Sequence, residues 1–127
     1  MREVLFLIGK SSYVLDIFLG GEYEVPDSRD ISQSIKRNKN QLVEIVHSHP
    51  KGFDVFSEED LSTMQGLELE LGRSFSWGLV TPYNYTCMHK GYFLSKPSVP
   101  WWVNFMRMLS YINNEDVYMS EEEYNAI

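Results

Sequence analysis

The segment "HSHPKGFDVFSEED" (47–60) gathers residue types that bind metal ions and stiffen backbone. His47 and His49 stand one residue apart at the end of the apolar run "LVEIVHSH" (42–49). In an extended strand residues i and i+2 share a face, so both imidazoles project one way and Ser48 the other. Two neutral nitrogens on one rigid strand can approach a single cation, and zinc takes such ligands at about 2.0–2.1 Å. Pro50 closes the strand, since proline cannot donate to a sheet ladder. After the loop "PKGFDVF", Ser57 opens an acidic helix and Asp60 falls in its first turn. A carboxylate supplied there completes two nitrogens and one anionic oxygen. Three protein ligands with a fourth position open to water are the pattern of a catalytic zinc site rather than a structural one. "SEED" also reads as a capping box, with Ser57 capping and Asp60 reaching back. The two readings coexist, because a capped first turn is a stiff mount for a ligand.

The elements that must position these residues follow from pattern. "EVLFLIG" (3–9) and "YVLDIFLG" (13–20) are β-rich, bounded by glycines and joined by the "KSS" turn, so they predict neighbouring strands. Imperfect alternation implies that one of them is buried on both faces. "EYEVPDS" (22–28) reads as a short edge strand ending at Pro26. "DISQSIKRN" (30–38) predicts a surface helix capped by Asp30. The run 42–49 is the clearest strand and "SEEDLSTMQGLELEL" (57–71) the clearest helix, with Leu61, Met64 and Leu71 as its apolar stripe and Gly72 as its stop. "FSWGLVT", "YTCMH" and "YFLS" predict three antiparallel strands. "PWWVNFMRMLSYI" (100–112) predicts a helix with proline at its first position. The acidic stretch 113–127 reads either as a frayed short helix from Ser120 or as a disordered tail. This order, β-β-(β)-α-β-α-β-β-β-α, implies one α+β domain over 1–127, with a mixed, mostly antiparallel sheet flanked by helices.

Composition narrows the function. At 127 residues and 43% apolar content the chain suits one folded domain with a modest core. A formal charge of −7 argues against nucleic-acid binding, which needs a clustered basic surface. "KRNKN" (36–40) is the only dense basic run and reads as a solvated helix end. Cys87 is the single cysteine, so no internal disulfide forms and a reducing compartment is expected. No run approaches the length of a membrane span, and the amino-terminal apolar stretch is too short for a secretory signal. A soluble cytoplasmic protein is the expectation.

The motif His-x-His-Pro-x(6)-Ser-x-x-Asp over 47–60 resembles, without departure, the signature of the JAB/JAMM (MPN-plus) zinc metalloproteases, and the chain looks like their compact prokaryotic type. That resemblance implies a JAB/MPN-like domain of cytidine-deaminase-like architecture. It implies one catalytic zinc ion held by His47, His49 and Asp60, with Ser57 helping to stabilise the oxyanion. It implies hydrolysis of a peptide or isopeptide bond after the carboxyl-terminal tail of a ubiquitin-like or sulfur-carrier protein. The family also carries a glutamate acid/base at the head of a strand running into a glycine, and "EVLFLIG" places Glu3 in that role. Glu44 is an odd number of residues from His47 and should face the other way. Glu58 and Glu59 belong to the capped turn, while Glu22 and Glu24 lie where no geometry can be argued. Family members usually have a helix ahead of this glutamate; here Met1 and Arg2 precede it, and the 100–112 helix is one element that can cover the surface. The resemblance is highly specific over 47–60 and extends loosely over residues 3–95.

Two rival functions stand beside this one: a peptidase of the same fold acting on other peptides, such as phage-tail or cell-wall ones, and a catalytically silent MPN scaffold. An extended tail is expected to add as a strand to a sheet edge near the zinc. Cys87 and His89 read as a packed strand rather than a second metal pair. Trp101 and Trp102 cannot both face one core, which leaves one for an interface, a homodimer being one arrangement; Trp102→Ser followed by size exclusion is the test the sequence suggests.

Overall fold

An apolar strand without polar alternation must be covered on both faces. Val4–Gly9, strand β1, meets that condition: all its residues but Leu5 are buried. The computed structural model describes residues 2–21, 28–52, 55–95 and 98–111. It contains five further strands, β2 (Val14–Leu19), β3 (Leu42–Ser48), β4 (Ser76–Val80), β5 (Tyr85–His89) and β6 (Tyr92–Leu94). Its α-helices are α1 (Ser28–Asn38), α2 (Glu58–Leu71) and α3 (Trp101–Tyr111). The sheet order is β2-β1-β3-β4-β5-β6. Every pairing is antiparallel except β3 with β4, which run parallel and are joined by α2 as a crossover. This is the α+β arrangement that the element order implies.

The two faces of the sheet bury separate clusters. Leu7, Ile45, Trp77 and Met88 pack with Ile35 of α1 and Met64 of α2. On the opposite face Val4, Phe6, Val46 and Val80 pack against Trp102, Val103 and Met106 of α3. Helix α3 thus covers the β1 surface, as the sequence allowed. Helix α1 begins at Ser28 rather than at a capping Asp30, and Asp30 lies in its first turn, where an anion complements the helix dipole. The strand expected near Glu22–Pro26 and the acidic end from residue 112 fall outside the described residues. Among the described residues no helix is long and apolar enough to cross a membrane.

The paired tryptophans divide the two environments between them. Trp102 is 1% exposed, with its ring edge-on to Tyr85 at 5.4 Å and to Phe6 at 6.5 Å. Trp101 is 62% exposed, stacks on Phe105 and donates its indole N–H to the Ser12 carbonyl at 3.1 Å. The variant that probes an interface is therefore at Trp101, and Trp102→Ser would test the core instead.

The α3 face also holds a buried carboxylate. Glu44, 2% exposed, accepts from the Tyr85 hydroxyl at 2.6 Å and from the Cys87 thiol at 3.6 Å. Burial, followed by the charge of Glu44, pushes the Tyr85 phenol well above its ordinary pKa, so it stays a donor. Gly78 makes room for this pair: a Cβ there would collide with the Glu44 carboxylate and with Val46.

Urea unfolding tests the packing. Trp102→Ala should cost about 3–5 kcal/mol. Trp101→Ala should cost no more than about 1 kcal/mol. Gly78→Ala should cost about 1–3 kcal/mol, because Glu44 and Val46 must both move. Equal losses at the two tryptophans would contradict the division between core and surface.

Candidate metal centre

β3 is held on both flanks where its ligands emerge. Its pairing with β1 ends at Leu5↔His47, and its pairing with β4 runs to Ser48↔Val80. The His49 N–H donates to the Val80 carbonyl at 2.8 Å, so the second ligand is still anchored to the sheet after the strand ends. Pro50 is buried, and a turn closed by Gly52 N–H to the His49 carbonyl (3.1 Å) carries the chain away. Cross-strand partners share a face, so His47 emerges beside Leu5 on the α1–α2 side. The Phe56 ring lies against the His47 ring with centroids 5.8 Å apart. Sequence reasoning did not single out Phe56; an apolar residue directly ahead of a capping serine is the signal, because that position commonly packs back on its surroundings.

α2 delivers the third ligand through its cap. The Ser57 hydroxyl accepts from the Asp60 N–H at 3.0 Å, and the Ser57 N–H donates to Asp60 Oδ2 at 2.9 Å. That reciprocal box fixes the Asp60 rotamer, and the oxygen it holds faces the imidazoles. His47 Nε2 and His49 Nε2 are 3.1 Å apart, and they lie 3.3 Å and 3.4 Å from Asp60 Oδ2. Ligands about 2.0–2.1 Å from a tetrahedral zinc ion sit about 3.3–3.4 Å from one another. The triangle therefore fits zinc without rearrangement. Among the described residues these are the only three such side chains grouped closely enough to hold a metal ion.

The electrostatics suit a permanently anionic ligand. Partial burial raises the Asp60 pKa, but hydrogen bonds to His47 and His49, the His47 charge and the Ser57 N–H outweigh it. The carboxyl is held far below the usual carboxylate range. The side chains keep 14–24% exposure, so the centre is partly open to solvent.

The other carboxylates separate by face. Glu44 points to the α3 side, as its odd spacing from His47 requires. Glu58 and Glu59 are exposed on the first turn of α2. Glu22 and Glu24 lie outside the described residues. Glu3 is partly buried and stands just ahead of β1. The β1–β3 pairing ends at Leu5↔His47, and Glu3, two residues before Leu5, has the parity of the Leu5 and His47 face. It is outside the ligand cluster itself. Cys87 is buried beside Glu44, and His89 Nδ1 lies 3.1 Å from the Phe75 carbonyl.

Metal titration reads this arrangement directly. Asp60→Ala should lose stoichiometric zinc, whereas Ser57→Gly should retain it, since glycine is tolerated at an N-cap. Asp60 is already deprotonated at moderate pH, as a metal ligand must be. Stoichiometric zinc retained by Asp60→Ala would contradict the triangle.

The family comparison agrees with the motif. Among curated proteins none matches the chain. A family model described as prokaryotic homologs of the JAB domain matches residues 7–90, more than half of the sequence. The matched stretch runs from within β1 to the end of β5 and includes both histidines, Ser57 and Asp60. With the crossover, the sheet order and the ligand triangle, that match places this chain in the family of prokaryotic JAB domains.

Proposed function

We propose that this chain is a zinc-dependent peptidase or isopeptidase that cuts after the carboxyl-terminal tail of a small ubiquitin-like or sulfur-carrier protein. The observation that carries the reading is the triangle of two imidazole nitrogens and one carboxylate oxygen with edges of 3.1, 3.3 and 3.4 Å. When bound there, zinc supplies a Lewis acid that lowers the pKa of a coordinated water to about 7. His47, His49 and Asp60 hold it, leaving one position free of protein.

Glu3 is the acid/base of this reaction. Its carboxylate takes a proton from the attacking water and returns it to the leaving amine nitrogen. It suits that role because it stands just ahead of the neighbouring strand, two residues from Leu5, which pairs with His47, and is not among the three grouped ligands. Ser57 is the oxyanion donor. Its hydroxyl already accepts the Asp60 N–H, so its own proton is free to donate, and it is exposed beside the third ligand.

The substrate must reach ligands that are only partly exposed. Among the described residues β3 is flanked by β1 and β4 and the sheet's edges are β2 and β6, so neither edge strand adjoins β3. An arriving tail therefore approaches across the strand ends instead of extending the sheet beside β3. With the ligands only 14–24% exposed, a thin extended segment of small residues fits better than a folded surface.

A fluorogenic tail peptide ending in Gly-Gly, assayed with and without chelator, tests the reading. Hydrolysis should require zinc. Glu3→Gln should keep zinc and lose at least about 10²-fold in kcat. Ser57→Gly, which spares the helix cap, should lose about 10²–10³-fold. Native turnover in Glu3→Gln would move the acid/base role to Glu22 or Glu24. Cleavage of unrelated peptides but not of the tail would point to the second kind of peptidase, and no cleavage at all to a scaffold.

A further inference from the structure

We propose that Ser48 and Ser110 are positioning residues for Glu3, linked in one hydroxyl relay that holds both peptide planes around it. The role rests on the hydrolase reading above. Ser48 lies between the two histidine ligands but faces the α3 side, where it is 2% exposed. The backbone pairing of β1 with β3 stops at Leu5↔His47. One residue further on, the Val4 N–H donates to Ser48 Oγ at 2.9 Å. Ser48 Oγ donates to Ser110 Oγ at 3.3 Å, and Ser110 Oγ donates to the Arg2 carbonyl at 2.7 Å. Each hydroxyl thus accepts one hydrogen bond and donates one.

The relay begins and ends on the two peptide groups that flank Glu3. The Val4 N–H belongs to the plane after Glu3, and the Arg2 carbonyl to the plane before it. The other edges of the same planes are held beside β2: the Glu3 N–H donates to the Gly21 carbonyl at 3.2 Å, and the Gly20 N–H donates to the Glu3 carbonyl at 2.8 Å. All four polar groups of the two planes are therefore satisfied. Peptide planes are rigid, so fixing both sets φ and ψ of Glu3 and with them the direction of its Cα–Cβ bond.

Helix α3 anchors the far end of the relay. The Arg2 N–H donates to the Ser110 carbonyl at 2.9 Å, and Arg2 Nε donates to the Leu109 carbonyl at 3.0 Å. A cation there satisfies the final carbonyls of the helix and complements its dipole. Ser48 shares one three-residue stretch with both ligands, so the hydroxyls tie the backbone of the acid/base directly to the backbone of the metal site. If they served only to satisfy buried polar groups, their loss would reduce stability and leave the chemical step intact.

Ser48→Ala and Ser110→Ala in the full chain test this with two readouts. In the zinc-loaded protein each should lower kcat about tenfold or more, because a misplacement near 1 Å can cost about 10²-fold. KM for the tail peptide and zinc content should stay native, and neither change should lower the residual turnover of Glu3→Gln further. In the metal-free protein, amide exchange followed by NMR should be about tenfold or more faster at Val4 in Ser48→Ala, with Phe6 and Val46 protected as before. Native hydrolysis with unchanged kcat in both variants overturns the relay alone. Loss of zinc or a further fall in the Glu3→Gln background overturns it too, by exposing general damage to the site. A native chain that hydrolyses nothing removes the hydrolase reading and this role with it, whereas faster Val4 exchange in that case leaves the hydroxyls as a purely structural tie.

Discussion

The alternation of side chains at the end of β3 is the constraint on which the rest of the molecule depends. His47 and His49 emerge on one face and Ser48 on the other because a strand has a period of two. One three-residue stretch therefore serves two layers at once, a candidate metal centre beside α2 and a hydrogen-bonded contact with α3. Pairing on both flanks makes that end stiff. The ligand nitrogens are held before any ion arrives, and little ordering remains for binding to impose.

The third ligand shows how ordinary secondary-structure chemistry becomes functional. A capping box satisfies backbone groups that any helix leaves open at its start. Here its acidic member bonds to the Ser57 N–H through the same oxygen that meets both imidazoles. The helix start thereby sets the carboxylate's position, while its positive end favours the anion. The interaction that begins α2 and the one that completes the centre are the same.

What could be read from the residues was local. The strand 42–49, the cap at Ser57 and the stop at Gly72 each carry their signal within a few positions, and all three stand where pattern placed them. The opposed directions of Glu44 and His47 also followed from spacing alone. Long-range choices did not. Nothing near Trp101 and Trp102 says which ring meets Phe6, because either helix face was apolar enough to be inward. A glutamate in a hydrophobic strand gives no hint that Tyr85 and Cys87, two strands away, will satisfy it. The contact of Ser48 with Ser110 spans 62 positions and involves two small polar residues without any periodic signal. The place of β3 in the sheet was equally hidden: strand order is set by pairings between distant segments, and among the described residues these put β3 in the interior.

The central claim is that two imidazoles and one carboxylate bind a single zinc ion. Zinc-edge X-ray absorption on the loaded protein tests it most directly. The expected spectrum has only nitrogen and oxygen neighbours at about 2.0–2.1 Å, with the outer scattering of two imidazole rings. A sulfur neighbour at about 2.3 Å, or the scattering of a single ring, would contradict it.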